Sequence, residues 1–515
     1  MHMEWSSISV FADAVLAVAA GFPDKPALLC EDRSITFKDV NDRMNRLANG
    51  LTTLGVGPGE RVAVLSRNRP EAFEAYGASK AGLIVLPLNW RLGRDELLHP
   101  LADGEPSVIL AAPEFADLID DLRPKLPFVR FCVCFGSPSA GWIRYEDLLA
   151  RSSSAEPNAR VTADDLLCLM YTSGTTGKPK GAMLTHGGLM RNCRAAADWM
   201  LELRSTDVAM AAMPLFHVGG MWYHLFPAFV TGCTTILAPE FSAANILALM
   251  ERHGVSYSHF VPTMISALVN HPHVTKTNLS KLRIVYYAAS TMPVELLRQA
   301  MAIFPHCEFM QGYGSTEAGM VTALTAEDHR QAAAEGDRKA RLSSCGRALH
   351  CEVDILDADR AGIGEIAVRS DRTMVGYWRN PTASNAVMSD GWLRTGDLGK
   401  FDKDGYLTIA DRKHDMIVSG GENIYPREVE SALSQDPSIL EAAVFGLPDS
   451  HWVEKVAAAV VLRPGHSATP DEISDRVRSR LAGYKCPRQI FVCDDLPKSG
   501  AGKVLKKQLR QIFGN

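Results

Sequence analysis

Short apolar segments alternate with amphipathic helical segments along much of the chain. The segment 40–54 has apolar residues mostly at spacings of three and four and ends at Gly55, which predicts an amphipathic helix. A second helix is predicted over 70–81. Because a repeated strand–helix–strand order is typical of sheets covered by helices, the sequence predicts a layered α/β fold. The predicted strands are residues 61–65, 84–87, 107–111, 166–171 and 282–288.

The composition changes near residue 390, where glycines become dense. Six glycines lie between 391 and 421, and a small α+β pattern follows. In that pattern Pro426 suits the first position of a helix, residues 455–462 form an apolar strand, and 469–472 match a capping box. A chain of 515 residues is also too long for one compact core. We therefore predict a large multi-sheet α/β domain at 1–413 and a small mobile α+β lid at 414–515.

Charge and composition argue against several classes of protein. The 54 basic and 59 acidic residues give a net charge of −5 without a basic block, whereas nucleic-acid binding needs clustered Lys and Arg. No apolar run approaches the roughly 20 residues of a membrane span. The apolar stretch at 11–22 has no Lys or Arg before it, unlike a signal peptide. The eleven cysteines include no C-x-x-C pair, so we expect reduced thiols in a cytoplasmic protein rather than a Cys–His metal site.

A polar, glycine-rich loop carries the strongest chemical signal. Residues 171–181 read Tyr-Thr-Ser-Gly-Thr-Thr-Gly-Lys-Pro-Lys-Gly, between an apolar strand and a helix predicted to begin near His186. Four Ser and Thr hydroxyls, three glycines and two lysines suit the binding of a polyphosphate. The loop is not a Walker P-loop, because Lys178 is followed by Pro179 rather than by Ser or Thr. A flexible surface turn is the alternative interpretation of this segment alone.

A second lysine-containing segment lies near the C-terminus. Residues 499–503 read Ser-Gly-Ala-Gly-Lys and resemble the tail of a P-loop. Pro497 occupies the first glycine position and Val504 follows Lys503, so the P-loop pattern fails here too. Considered alone, Lys503 is better interpreted as a solvated lysine.

Several motifs together resemble the adenylate-forming superfamily, which includes acyl- and aryl-CoA synthetases, peptide-synthetase adenylation domains and firefly luciferase. The resemblance spans nearly the whole chain, and its motifs follow the family's order. Because Lys503 belongs to this ordered set, it becomes a candidate catalytic residue. The motifs are the 171–181 loop, Pro-Leu-Phe-His at 214–217, Ala-Ala-Ser-Thr-Met-Pro at 288–293, Tyr-Gly-Ser-Thr-Glu at 313–317, Trp-Leu-Arg-Thr-Gly-Asp at 392–397, the hinge segment 411–426 and Pro-Lys-Ser-Gly-Ala-Gly-Lys at 497–503.

This resemblance implies that the chain uses ATP, Mg²⁺ and CoA. Attack of a carboxylate on the α-phosphate brings two anions together, so such a site must supply positive charge. The implied catalytic residues are Lys503, Thr316 and Glu317, and the implied Mg²⁺ ligands are Glu317 and Thr175. The implied nucleotide-binding residues are Thr172, Ser173, Gly174, Thr175, Thr176, Gly177, Lys178, Ala289, Ser290, Tyr313, Gly314, Asp397 and Arg412.

The resemblance also implies an acid pocket, a thiol channel and a hinge. The hinge falls at His414, and rotation of the lid about it would exchange the lysine for the channel loop. A glycine-rich loop suits the channel because glycine allows close backbone approach. The implied channel residues are Gly420, Gly421 and Glu422. The implied pocket residues are His217, Trp222, Tyr223, Val261, Thr263, Ala288 and Ser315.

The chain departs from the family's pattern at three places. Ala288 and Ala289 replace glycines beside the adenine, where recognition is largely through backbone and shape, so we expect ATP binding to survive. His414 replaces the usual Asp or Lys, which makes a charge-based account of hinge switching doubtful. Val453 replaces the glycine of a W-G-E pattern, and nothing in the sequence explains it.

The favoured function is a freestanding ligase that activates a carboxylic acid as acyl-AMP and transfers the acyl group to CoA. The pocket segments are mostly apolar, small or aromatic, with His217 as their one ionisable base, so we predict an apolar fatty or aryl acid. The small residues favour fatty acids over benzoate-sized rings. The alternatives are a ligase for a separate acyl carrier protein, a luciferase-like oxidase, and a nucleotide- or acyl-binding protein without catalysis. The assembly is left open, with a homodimer as one option.

Overall fold

The computed structural model describes residues 8–137, 140–172, 178–290, 292–334, 341–419, 422–449, 452–478, 480–498 and 504–514. A large N-terminal domain contains a nine-stranded, a seven-stranded and a five-stranded sheet, and a smaller C-terminal domain contains another five-stranded sheet. The predicted α/β class and the predicted division into a large and a small domain are confirmed.

The nine-stranded sheet is parallel in its centre and antiparallel at both edges. Its central strands are buried on both faces, as expected of parallel strands covered by helices. In spatial order the strands are Arg347–Ala348, Gly319–Leu324, Glu308–Ser315, Ile284–Tyr287, Tyr257–Phe260, Val208–Ala211, Thr234–Leu237, Pro26–Cys30 and Arg33–Thr36.

The seven-stranded sheet is parallel except for its last pair, which flanks the glycine-rich loop. The predicted strands at 61–65, 84–87, 107–111 and 166–171 all belong to it, with bounds within one residue of those expected. In spatial order its strands are Ile143–Arg144, Phe131–Cys134, Pro106–Ala111, Arg61–Leu65, Ile84–Leu88, Leu166–Thr172 and Lys180–Thr185.

Helices cover these sheets, and an aromatic cluster fills the space between them. The Phe73 ring lies 4.8 Å from that of Phe229, and the Phe11 ring lies 5.0 Å from that of Phe226. The α-helices are Phe11–Gly21, Phe37–Thr53, Pro70–Glu74, Arg94–Gly104, Ala116–Leu122, Tyr145–Ala150, His186–Arg194, Val218–Gly220, Phe226–Thr231, Ala243–His253, Pro262–Val269, Val294–Ile303, Ala326–Ala334 and Pro381–Val387.

Two predicted helices are observed with local differences. The helix Phe37–Thr53 begins where the Thr36 hydroxyl accepts from the Asp39 backbone N–H, 3.1 Å away. The predicted helix over 70–81 is α-helical only at Pro70–Glu74 and continues as the 3₁₀-helix Ala75–Ala81. Elsewhere in the domain the π-helix Ala195–Met200 continues the α-helix before it, and the π-helix Met221–Leu225 lies between two α-helices. Shorter 3₁₀ turns are Pro113–Phe115, Arg123–Lys125, Val274–Lys276 and Gly483–Lys485.

The third sheet of the N-terminal domain brings two distant motifs together. Its strand Trp392–Phe401 pairs antiparallel with Leu407–Arg412, in a register that sets Asp397 opposite Arg412. The remaining strands are Glu352–Leu356, Gly364–Arg369 and Met388–Ser389.

The C-terminal domain has its own small core around one sheet. Pro426 opens its first helix, and the backbone N–H of Thr469 donates to the Glu472 carboxylate over 2.8 Å, so the capping box is confirmed. Its strands are Ile417–Ser419, Glu422–Ile424, Ile439–Asp449, Val453–Leu462 and Gln489–Cys493, and its α-helices are Pro426–Ser434, Pro470–Arg478 and Lys506–Phe513.

Candidate active site

A cleft of about 3290 Å³ is lined by residues of both domains. Glu317 and Arg412 line it from the N-terminal domain, and Lys498 and Val504 from the C-terminal domain. Its volume exceeds the roughly 300–1,000 Å³ of an ordinary small-molecule pocket. The cleft therefore has room for more than one substrate at a time.

Asp397 is the centre of a buried polar group beside this cleft. The Tyr313 hydroxyl donates to one carboxylate oxygen at 2.7 Å, and the Arg412 guanidinium binds the other at 2.8 Å. Asp397 is only 3% exposed, and the two side chains that bind it both line the cleft. Burial lowers the pKa of Arg412, but Asp397 together with Tyr313, Glu317 and Asp415 outweighs it, so the pKa is raised overall. The three side chains are thus held in position before any ligand binds.

Glu317 is held by hydroxyls from two other segments. Its Oε1 accepts hydrogen bonds from the Thr172 hydroxyl at 2.8 Å and from the Tyr377 hydroxyl at 3.1 Å. The Lys180 ammonium lies 4.4 Å from the centroid of the Tyr377 ring. Glu317, Thr172, Lys180 and the buried Thr316 all line the cleft. The arrangement combines a carboxylate, hydroxyls and a cation, the groups that suit a metal-bound phosphate chain.

The predicted adenine segment lies at the end of the strand Ile284–Tyr287. Ala288, Ala289 and Ser290 all line the cleft. Ala289 has a φ of +72°, in the left-handed region that favours glycine. This backbone conformation gives a physical reason for the glycine usual at this position. Gly314, also on the cleft, has no room for a side chain, because a Cβ there would lie 2.2 Å from the Gly319 carbonyl oxygen.

Part of the predicted site lies outside the described residues. Lys178, at which the description of the chain resumes after Thr172, lines the cleft. Lys498 and Val504, the described residues on either side of Lys503 in the sequence, form an isolated β-bridge. The predicted residues outside the described part are Ser173, Gly174, Thr175, Thr176, Gly177, Gly420, Gly421 and Lys503.

The predicted acid pocket is formed between a π-helix and the face of the nine-stranded sheet. The π-helix Met221–Leu225 carries Tyr223, whose hydroxyl donates to the Ser315 carbonyl oxygen at 2.7 Å. The predicted pocket residues that line the cleft are His217, Tyr223, Thr263, Ala288 and Ser315. Trp222 and Val261 are buried and are not among the described residues that line the cleft. The Trp222 ring packs against Phe226 in the core, with 6.2 Å between ring centroids.

His259 and Tyr286 also line the cleft, although the sequence-based assignment omitted them. Each lies two residues before a predicted wall residue, Val261 or Ala288, on a strand that leads to that wall. Because side chains alternate along a strand, residues two apart share a face. Extending each wall segment by two residues would have found both.

His414, the predicted hinge residue, is exposed at the edge of the cleft. Burial, assisted by the guanidiniums of Arg412 and Arg510, lowers its pKa despite the neighbouring Asp415. His414 is therefore uncharged at neutral pH. Close to it, the Asp411 carboxylate accepts from the Arg427 backbone N–H at 2.8 Å and so connects segments on either side of residue 414. Glu422, the third implied channel residue, is the first residue of the strand Glu422–Ile424.

The described residues contain neither a metal cluster nor a membrane span. No group of three or more His, Cys, Asp or Glu in the described ranges could hold a metal ion. Among the same residues, no helix is both long enough and apolar enough to cross a membrane. All eleven cysteines are free.

Comparisons with known proteins point to one family. The family model of AMP-binding enzymes matches residues 15–378, and that of the AMP-binding enzyme C-terminal domain matches residues 428–503. The indoleacetate–CoA ligase of Aromatoleum aromaticum is 37% identical over 498 residues, which cover 95% of each chain. A feruloyl-CoA synthase of an Amycolatopsis species is 37% identical over 494 residues, 93% of this chain and 94% of that one. The crystal structure of the anthranilate CoA ligase AuaEII in complex with anthranoyl-AMP has a TM-score of 0.90, 28% identity and 99% coverage of both chains.

Proposed function

Because the chain belongs to the AMP-binding enzyme family, we propose that it joins an apolar fatty or aryl carboxylic acid to CoA through an acyl-adenylate. The observation that carries the proposal is the pairing of Asp397, Tyr313 and Arg412 beside the same cleft that Glu317 lines. The group around Asp397 and the group around Glu317 suit the two ends of a nucleotide. Asp397 can accept from the ribose hydroxyls, and Glu317 lies among hydroxyls and cations that suit the phosphates.

In the first half-reaction an oxygen of the acid attacks the α-phosphorus of ATP. The bond from that phosphorus to the β-phosphate oxygen breaks, and pyrophosphate leaves. Lys503 and Thr316 would stabilise the negative charge that develops on the α-phosphate, an effect that preorganised donors provide without reorganisation. Arg412 and Asp397 would hold the sugar so that the phosphorus faces the acid pocket.

The residues present also suit a magnesium ion. Glu317 uses only Oε1 for its two hydroxyl bonds within the described chain, which leaves Oε2 as a hard oxygen ligand. Glu317 and Thr175 would hold the ion. When bound, Mg²⁺ neutralises charge on the phosphate chain.

In the second half-reaction the sulfur of CoA attacks the acyl carbonyl carbon. The bond to AMP breaks, and the thiol proton passes to solvent. The channel residues Gly420, Gly421 and Glu422 and the hinge at His414 belong to this proposal, because the lid must present a narrow backbone to the thiol.

We also propose a domain boundary at 413/414, a cytoplasmic location in keeping with eleven free thiols, and a homodimer to be tested by sedimentation.

The proposal is tested by release of AMP and pyrophosphate from about twenty fatty and aryl acids, with CoA, with a phosphopantetheinyl carrier protein, or with neither. We expect AMP release and a thioester product with CoA for at least one acid. Turnover that requires the carrier protein and ignores CoA would favour the carrier-protein ligase instead. Absence of AMP release from every acid under all three conditions would contradict the proposal.

A further inference from the structure

Two polar aromatic side chains lie side by side at the inner part of the cleft. His259 and Tyr286 are register partners on the neighbouring parallel strands Tyr257–Phe260 and Ile284–Tyr287. Their rings stack with 4.1 Å between centroids and an interplanar angle of 29°. Each residue is 1% exposed, yet both line the cleft. They therefore lie at its deepest part, where the far end of a bound acid would reach.

The hydrogen bonding of His259 fixes which ring nitrogen carries the proton. Its Nδ1 lies 3.0 Å from the Gly219 carbonyl oxygen, and a carbonyl can only accept, so Nδ1 is the donor. The other nitrogen, Nε2, is buried and has no hydrogen-bond partner among the described residues. Burial holds the pKa of His259 well below its usual range, so the ring stays neutral. Nε2 is consequently an acceptor that lacks a donor.

The Tyr286 hydroxyl likewise has no hydrogen-bond partner in the described chain. It lies above Gly312, where a Cβ would approach it to 2.5 Å, so the space for the hydroxyl depends on that glycine. Burial raises the pKa of Tyr286, so the hydroxyl stays protonated and can donate or accept. The deep end of the pocket thus offers one acceptor and one hydroxyl.

A neighbouring tyrosine–histidine pair shows the opposite behaviour. Tyr287 follows Tyr286 on the same strand and points to the other face of the sheet, where its hydroxyl lies 2.8 Å from His329 Nε2. His329 Nδ1 in turn lies 2.7 Å from the Thr325 carbonyl oxygen, so both of its ring nitrogens have partners. Neither Tyr287 nor His329 lines the cleft. Tyr287 and His329, which do not line the cleft, have hydrogen-bond partners. His259 Nε2 and the Tyr286 hydroxyl, at the cleft, have none among the described residues.

We propose that the acid is an aromatic carboxylic acid with a hydroxyl or ring N–H at its distal end, which donates to His259 Nε2 and contacts the Tyr286 hydroxyl. This inference rests on the proposed function. Buried polar groups in native proteins nearly always have partners, and a ligand group can supply the missing one. A saturated fatty acid has no such group and would leave Nε2 unpaired.

The test compares acids that differ only in the donor. 4-Hydroxycinnamate and 3-hydroxycinnamate are each compared with cinnamate, and indole-3-acetate is compared with its N-methyl derivative. Octanoate is included as an acid without a donor. The quantity measured for each acid is kcat/KM for CoA-dependent AMP release. We expect at least one donor-bearing acid to exceed its matched acid, and octanoate, by about tenfold or more. If every donor-bearing acid had a kcat/KM no higher than that of its matched acid, or no higher than that of octanoate, the inference would be overturned but the proposed function would stay intact. No AMP release from any acid would instead contradict the proposed function.

Variants then locate the effect. Tyr286→Phe and His259→Leu should each reduce the preference for the donor-bearing acid to about threefold or less, and His259→Gln, which retains an acceptor, should restore part of it. Tyr287→Phe is the matched control, because it removes a buried hydroxyl one residue away on the other sheet face. It should lower the melting temperature but keep the preference. An unchanged preference in folded Tyr286→Phe and His259→Leu, or its loss in Tyr287→Phe, would overturn the assignment.

Discussion

The two domains contribute to the cleft in different ways. In the N-terminal domain the candidate site residues bind one another across distant segments: Asp397 binds Tyr313 and Arg412, and Glu317 accepts from Thr172. In the C-terminal domain two lysines at the cleft bind partners within that domain. Lys498 pairs with Glu441 at 2.8 Å, and Lys506 pairs with Glu430 at 2.8 Å.

We infer that the N-terminal wall of the cleft is preorganised, and we expect the C-terminal wall to move as a unit. Bonds between the two domains include that from the Tyr425 hydroxyl to Asp359 at 3.1 Å, an exposed contact. Exposed polar contacts of this kind contribute little to stability. Changes in the N-terminal domain should therefore affect stability and both half-reactions, whereas changes in the C-terminal domain should separate the half-reactions.

The largest expected effect is selective unfolding of the N-terminal domain in acid. Burial lowers the pKa of His224 to about 3 and those of His186 and His329 to about 4. A lowered native pKa means that stability is complete above the unfolded pKa, near 6.5, and is lost as the pH falls toward the native value. Each histidine should cost about 2 kcal/mol at pH 5. None of the described histidines of the C-terminal domain is buried.

Urea unfolding at pH 7, 6 and 5 measures this effect, because seven of the eight tryptophans lie in residues 1–413. The urea concentration at the unfolding midpoint should fall between pH 7 and pH 5. The expected fall is at least several tenths of the pH 7 value. The double variant Tyr287→Phe/His329→Leu removes one titrating pair without leaving its partner unsatisfied, and its midpoint should depend less steeply on pH. Identical midpoints at pH 7 and pH 5 would contradict the prediction.

The next largest effect separates the half-reactions. Lys503→Ala should slow adenylation by at least ~10²-fold, the scale of losing one transition-state donor. The same variant should still convert supplied acyl-AMP and CoA to thioester. Asp397→Ala should impair both half-reactions, because the nucleotide stays on the N-terminal domain throughout. Each half-reaction is measured separately by rapid quench. Equal loss of both half-reactions in Lys503→Ala would contradict the contrast between the domains. A loss confined to one half-reaction in Asp397→Ala would contradict it as well.

A substitution in the proposed channel loop should produce the opposite split. Gly421→Leu adds a side chain where the thiol must pass, so acyl-AMP should form at a near-normal rate while thioester formation falls at least about tenfold. Gly465→Leu is a matched control, because Gly465 also lies in the C-terminal domain, with a φ of +80°, and a Cβ added there would meet nothing within 4 Å. It should lower stability without changing the ratio of half-reactions. Normal CoA turnover in Gly421→Leu would remove the loop from the channel.

The sequence allowed the strands and the nucleotide motifs to be predicted because both depend on local patterns. Residues 62–65 are apolar and buried, and the strand Arg61–Leu65 has the bounds predicted for it. The contact of Asp397 with Arg412 was harder to foresee, because it depends on an antiparallel register that no local pattern fixes. Trp222 was assigned to the pocket, but the π-helix that carries it has i→i+5 bonds and directs it into the core.

The smallest expected effect concerns two positions where this chain lacks a usual glycine. Val453 in the C-terminal domain has a φ of +71° and Ala289 in the N-terminal domain a φ of +72°. A β-branched residue in this region is strained, whereas alanine is strained less. The side chain of Val453 is also 72% exposed, so its removal forfeits little packing. Glycine at 453 should therefore relieve more strain than it loses through the greater freedom of the unfolded chain.

We expect Val453→Gly to stabilise the C-terminal domain by about 1 kcal/mol and Ala289→Gly to change the N-terminal domain by less than about 0.5 kcal/mol. Hydrogen exchange of peptides from each domain, read by mass spectrometry, reports the two stabilities in one sample. Val453→Ala keeps the positive φ but removes the branch, so it should fall between the parent and Val453→Gly. Because Val453 pairs with Ser419 at the foot of the channel loop, relief of strain there should also change exchange at 417–419. A destabilised C-terminal domain in Val453→Gly would mean that the valine supports the loop through contacts rather than straining it.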